Sequence, residues 1–176
     1  MTICDCFRPK DKVLLKRYSI DSQNEMVEHG ASITKACSVG PPVKGKPDSV
    51  KVPRPENTIG SYHSHWIGQE AKPSLVDLSE MLAHGDEAMC IGVGKRPAEV
   101  SCFYPRDKEL FNTLGWLVRG LREDLNEFTF LLKRKYGEVT YKTEEDRIRL
   151  MELQGRARTL STKQGRYWEY LGECKV

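Results

Sequence analysis

The sequence predicts an α/β (α+β) protein, a mixed β-sheet with flanking helices followed by a helical C-terminal third. Three observations carry that reading. Short β-branched or aromatic stretches bounded by Gly and Pro recur over residues 28–105. One amphipathic helical pattern interrupts them at 73–85. From Asp107 onward, leucines at helical spacing replace them.

Taken in order, KVLLKRYSIDS (12–22) reads as a short helix or strand leading into the domain, and EHGASITKACSV (28–39) as a strand. GPPVKGKPD (40–48) is loop or hairpin, because its prolines cannot donate to a ladder. SVKVPRP (49–55) alternates briefly and stops at Pro53. TIGSYHSH (58–65) is the next strand, and WIGQEAKP (66–73) the loop that leaves it. In PSLVDLSEMLAHG (73–85), Ser74 is a natural N-cap, Leu75, Leu78 and Leu82 share a face, and Gly85 closes the helix. EAMCIGVG (87–94) and AEVSCFYP (98–105) read as two buried strands joined by a turn through 95–97. Leu110, Leu114, Leu117, Leu121 and Leu125 predict a helix over 108–137, and Thr143 caps a second one running to about Thr159. The expected division is a domain over 1–106 and a helical extension over 107–176.

The chain has 176 residues, 39% of them hydrophobic and 30% charged, with a formal net charge of +3. Such a composition suits one globular core, and a charge so mild does not announce a nucleic-acid binder. No apolar run approaches the roughly 18–20 residues of a membrane helix. MTICDCFRPKDK lacks the apolar centre of a secretory signal, so the expected compartment is cytoplasmic, with reduced cysteines. Cys4 and Cys6 form a C-x-C pair, but no second pair lies at finger-like spacing, so they are expected to be unpaired thiols rather than a second zinc site.

The chemistry concentrates in YHSHWIGQEAKPSLVD (62–77). Histidines at i, i+2 of a strand point to one face, so His63 and His65 can reach one ion. A carboxylate from the first turn of the next helix, Asp77, supplies a third ligand and leaves one position open, as a hydrolytic zinc site requires. A blander reading stands beside it. Ser74-x-x-Asp77 is also a capping box, and histidines spaced by two occur on many exposed strands.

Together, H-S-H and S-x-x-D resemble the JAB/MPN metalloprotease family, the carriers of the JAMM motif. The likeness covers roughly residues 12–105, including the small-aromatic lead-in GSYHSH and the run from Asp77 to Tyr104. It implies a curved mixed sheet with one zinc ion held by His63, His65 and Asp77, Ser74 stabilising an oxyanion, and an upstream glutamate as general base. Glu28, in EHGASI, is the better match for the base. Glu25 fits an E-x-x-G form poorly, because Glu28 stands where the glycine should be. The resemblance further implies an isopeptidase or deubiquitinase-like hydrolase, acting on a peptide or isopeptide bond at the tail of a ubiquitin-like or sulfur-carrier protein. Two departures bear on the groove: Trp66 replaces the usual proline after the second histidine, and the loop to Ser74 is one residue longer than usual.

Other functions are set against this one. An inactive MPN-type scaffold would lack one or more ligands, and all three are present. A role in DNA repair, as in some relatives, would need a basic stripe; Lys and Arg outnumber Asp and Glu over 133–176, but most of these charges read as solvated helix faces. IGVGKR (91–96) reads as a hairpin turn rather than a phosphate loop, and the H-x-E and P-C-x-x-C of zinc deaminases are missing. Trp116, Trp168, Tyr167 and Tyr170 read as packing residues. The C-terminal helices either pack on the domain or pair two copies into a homodimer.

Overall fold

The computed structural model describes residues 1–66, 68–107, 111, 132–135, 138–141, 143–149, 151–152 and 171–176. They form two compact units, Met1–Arg106 with Leu171–Val176, and Asp107–Tyr170. The first unit is a six-stranded mixed sheet in the order β2-β1-β3-β4-β5-β8. Its elements are α1 (Ile3–Cys6), α2 (Pro9–Glu25), β1 (His29–Thr34), β2 (Val43–Lys44), β3 (Thr58–His65), α3 (Leu75–His84), β4 (Ala88–Val93), β5 (Glu99–Pro105) and, after the second unit, β8 (Leu171–Lys175). Only β3 and β4 pair in parallel, as the intervening α3 requires; the other neighbours are antiparallel.

The two faces of the sheet have different tasks. Ala31 and Ile33 of β1, Tyr62 of β3, Cys90 of β4 and Val100 and Cys102 of β5 join Leu15 and Tyr18 of α2 in the core. Alternation sends the intervening residues, including Ser61, His63 and His65, to the other face, where Asp77 of α3 meets the histidines. Residue 12 onward is helix rather than strand because its buried positions Asp11, Leu15, Tyr18, Ser19 and Ser22 recur at three- and four-residue spacing. Pro9 opens this helix at a position where a missing N–H costs nothing.

α3 begins and ends as its sequence predicts, with Ser74 at the N-cap and Gly85 at the C-cap with φ 64°. Among its described side chains Leu78 and Met81 are fully buried, whereas Leu82 is half-buried.

Three expectations are corrected. The six cysteines are not free thiols: Cys4 pairs with Cys174, Cys6 with Cys37, and Cys90 with Cys102. The Cys90 and Cys102 partners stand opposite one another on β4 and β5, and the other two bonds join α1 to β8 and to the turn after β1. The C-x-C spacing therefore serves two different partners, which only the tertiary fold brings within reach. Residues 171–176 belong to the sheet of the first unit and not to an extension over 107–176, because β8 pairs along β5 from Ser101↔Lys175 to Pro105↔Leu171.

The helix expected to reach residue 137 does not. In the second unit, β6 (Leu132–Lys135) and β7 (Glu138–Tyr141) pair antiparallel. Most of the leucine-rich stretch, Leu110 to Leu125 among it, lies outside the described residues, as do Trp116, Tyr167, Trp168 and Tyr170. Helix is present at 144–149 and 151–152, and Thr143 caps it by accepting the Asp146 N–H at 3.2 Å. Among the described residues, no helix is long and apolar enough to cross a membrane.

Candidate metal centre

Register builds the site. β1 pairs antiparallel with β3 so that Gly30 stands opposite His63. Glu28 lies two residues before Gly30, just ahead of β1, and lines the same cleft as His63 and His65. The capping box of α3 then lays Asp77 across the two imidazoles.

The ligand atoms converge. His63 Nε2 lies 3.1 Å from His65 Nε2 and 3.1 Å from Asp77 Oδ1, and His65 Nε2 lies 3.3 Å from Asp77 Oδ2. A tetrahedral ion with bonds of about 2.0–2.1 Å has ligand–ligand edges of about 3.3–3.4 Å, close to each of these separations, although the two rings face different oxygens of the Asp77 carboxylate. Tautomer agrees with geometry. His65 Nδ1 lies 3.0 Å from the carbonyl oxygen of Glu70, which can only accept, so Nδ1 carries the proton and Nε2 offers a lone pair. The group could hold a metal ion.

Electrostatics supports the same grouping. Burial alone would raise the Asp77 carboxyl, but hydrogen bonds from His63 and His65, the charge of His63 and the Ser74 N–H hold it far below the usual range. Burial works against a charged His65, yet Asp77 and the Glu70 carbonyl outweigh it and raise its pKa above the ordinary value. Three electron-rich groups this close need a proton or a cation among them.

Helix capping does not take Asp77 away from the histidines. Its Oδ2 accepts the Ser74 N–H at 2.8 Å, and Ser74 Oγ accepts the Asp77 N–H at 3.2 Å. The cap uses the Ser74 hydroxyl as an acceptor, which leaves its O–H as a donor toward the cleft that Ser74 lines.

That cleft, of about 980 Å³, is bounded by residues 48–54 on one side and by Ser74, Asp77, Glu80 and His84 of the α3 region on the other. Glu28 lines it with His63, His65 and Asp77. Burial raises the Glu28 carboxyl above its ordinary value, and the nearby histidines only partly counter that. Glu25 is placed differently. It ends α2, ion-pairs with Lys44 at 2.6 Å and lies 3.6 Å from His29 Nε2.

Two features were not visible in the motifs. Gly30 lets the wall of the cleft close on β1, since a Cβ there would lie 2.7 Å from Val52 Cγ2 and 3.1 Å from Val50 Cγ2. Trp66 donates its indole N–H to the Pro47 carbonyl oxygen, tying the loop after β3 to the segment after β2. The glycine two residues after the glutamate was the available signal for the first; nothing local pointed to the second.

No known protein family, curated protein or solved structure was found to match the chain.

Proposed function

We propose that this protein is a zinc-dependent hydrolase of peptide or isopeptide bonds, with Glu28 as general acid/base. The observation that carries the reading is the convergence of His63 Nε2, His65 Nε2 and the Asp77 carboxylate at 3.1–3.3 Å, with Glu28 on the same cleft. His63, His65 and Asp77 would hold the ion, and bound zinc supplies a more acidic water and polarises a carbonyl.

The chain's own residues do the rest. Glu28 takes the proton of the attacking water and returns it to the leaving amine. Its raised affinity for a proton suits that exchange better than an ordinary surface carboxylate would. Ser74 offers its O–H to the oxygen that gains charge. The open cleft between 48–54 and α3 admits an extended chain, which fits the tail of a ubiquitin-like or sulfur-carrier protein. The cytoplasm was the expected compartment; three disulfides fit an oxidising compartment or an intracellular proteome rich in them equally well.

The test is metal analysis of the purified chain together with cleavage of ubiquitin-like fusions before and after chelation. One zinc per chain and chelator-sensitive cleavage are expected. Iron in place of zinc would redirect the reading, since two histidines and one carboxylate also serve iron oxygenases. No bound metal, and no cleavage with zinc supplied, would end it.

A further inference from the structure

The middle residue of H-S-H points away from the ligands. Ser64 is fully buried on the opposite face of β3, where α2 packs. Its Oγ accepts the His29 N–H at 2.9 Å and lies 2.5 Å from Ser22 Oγ. Ser22 Oγ in turn donates to the Val27 carbonyl oxygen at 2.6 Å. Since the Ser22 proton is spent on that carbonyl, Ser64 donates to Ser22. One relay results, from the His29 N–H through Ser64 and Ser22 to the Val27 C=O.

Both ends of the relay flank Glu28. The remaining backbone groups of Glu28 itself are held from the other side: its N–H donates to the Lys46 carbonyl at 2.9 Å, and its C=O accepts the Gly45 N–H at 2.7 Å. The turn that delivers Glu28 is also costly in backbone terms, since Met26 ends α2 in the left-handed region at φ 58°. Val27 N–H donates to the Ser22 carbonyl at 3.3 Å, so Ser22 holds this turn through both its main chain and its side chain.

We infer that Ser22 and Ser64 are positioning residues, a two-hydroxyl clamp that fixes the Glu28 backbone relative to His63 and His65. Ser64 suits this because it is covalently next to both ligands. Any shift of the strand that moves the metal site moves the clamp with it. The effect on turnover rests on the hydrolase reading, whereas the clamp itself does not.

The experiment uses the full chain and the variants Ser64→Ala, Ser22→Ala and the double variant, with three readouts. Backbone amide exchange at residues 28–29, measured by mass spectrometry, is expected to quicken at least tenfold in each variant while exchange in β4 stays unchanged. Zinc content is expected to remain that of the wild type, since no ligand is touched. Against a ubiquitin-like fusion, kcat is expected to fall roughly 10–100-fold with KM within about twofold, the signature of a misplaced base rather than lost binding. The double variant should fall no further than the worse single one, because both cut the same relay. Ser22→Ala lies on α2 and keeps the test available if Ser64→Ala does not fold. Unchanged exchange at 28–29 in a folded variant overturns the clamp, and so does a loss confined to KM. A wild type that cleaves nothing overturns the hydrolase reading alone, and the exchange arm still decides the clamp.

Discussion

Replacing Asp77 by alanine and by asparagine separates its two roles. In the metal-free protein, alanine removes the acceptor of the Ser74 N–H and a negative charge in the first turn of α3, and it strips His63 and His65 of their partner. Cap and charge together are worth about 1–2 kcal/mol. For a unit of roughly 110 residues, each kcal/mol moves Tm by about 4 °C, so a fall of about 4–8 °C is expected. Asparagine can still accept from Ser74 N–H, so it should lose about half as much. Zinc at a hundred times its Kd stabilises the wild type by about 2.7 kcal/mol, or about 11 °C. If losing the carboxylate weakens binding a hundredfold, the same zinc gives about 0.4 kcal/mol, under 2 °C, in either variant. Thermal melts of all three proteins across a zinc series supply the comparison. A full wild-type shift in Asp77→Asn would mean that Asp77 caps the helix and does not bind metal.

Glu28→Gln should keep zinc and lose turnover, and its metal-free melting temperature should not fall, because burial disfavours the charged form that the amide replaces; metal analysis, kinetics and a melt check each part. The pH dependence of metal-free stability follows from two groups. His65, with its pKa raised in the fold, contributes stability fully present below its ordinary 6.5 and lost as pH rises through the folded value. Asp77, with its pKa lowered, contributes stability present above its ordinary 3.8 and lost as pH falls through the acid range. Their combined contribution should therefore peak between about pH 4 and 6.5 in denaturation series, and zinc affinity should rise with pH above that window as His65 sheds its proton. Gly30→Ala should cost about 1–3 kcal/mol in urea unfolding, because the new methyl meets Val52 and Val50 and pushes the cleft wall outward. Cys4→Ser with Cys174→Ser should cost up to about 4–5 kcal/mol, the chain-entropy value for so long a loop, in the same assay.

Much of the sheet was legible because its strands are short, apolar and bounded by turn residues. TIGSYHSH is β3 residue for residue, and Ser74 and Gly85 mark α3 because caps are local chemistry. The convergence of His63, His65 and Asp77 was legible for a related reason: strand alternation and a capping box are both fixed by spacing. What spacing cannot give is register. That Glu28 reaches the cleft of His63 and His65 depends on how β1 slides along β3, and so does the link from Ser64 to the His29 amide. The disulfides escaped because Cys4 and Cys174 meet only when the last strand returns to the sheet. The leucine pattern carries the expected helix through LKRK to residue 137, while Val139, Thr140 and Tyr141 just beyond it are β-formers, the neglected signal for β7.

The return of the chain at Leu171 has a practical meaning. Because Pro105 and Leu171 are paired neighbours, the path leaves and rejoins the sheet across a gap of only about 5 Å, a distance that a short hairpin turn closes. Residues 107–170 therefore occupy the place of a loop. A minimal version, with a few turn residues joining Arg106 to Leu171, would retain every side chain of the metal centre and both partners of each disulfide.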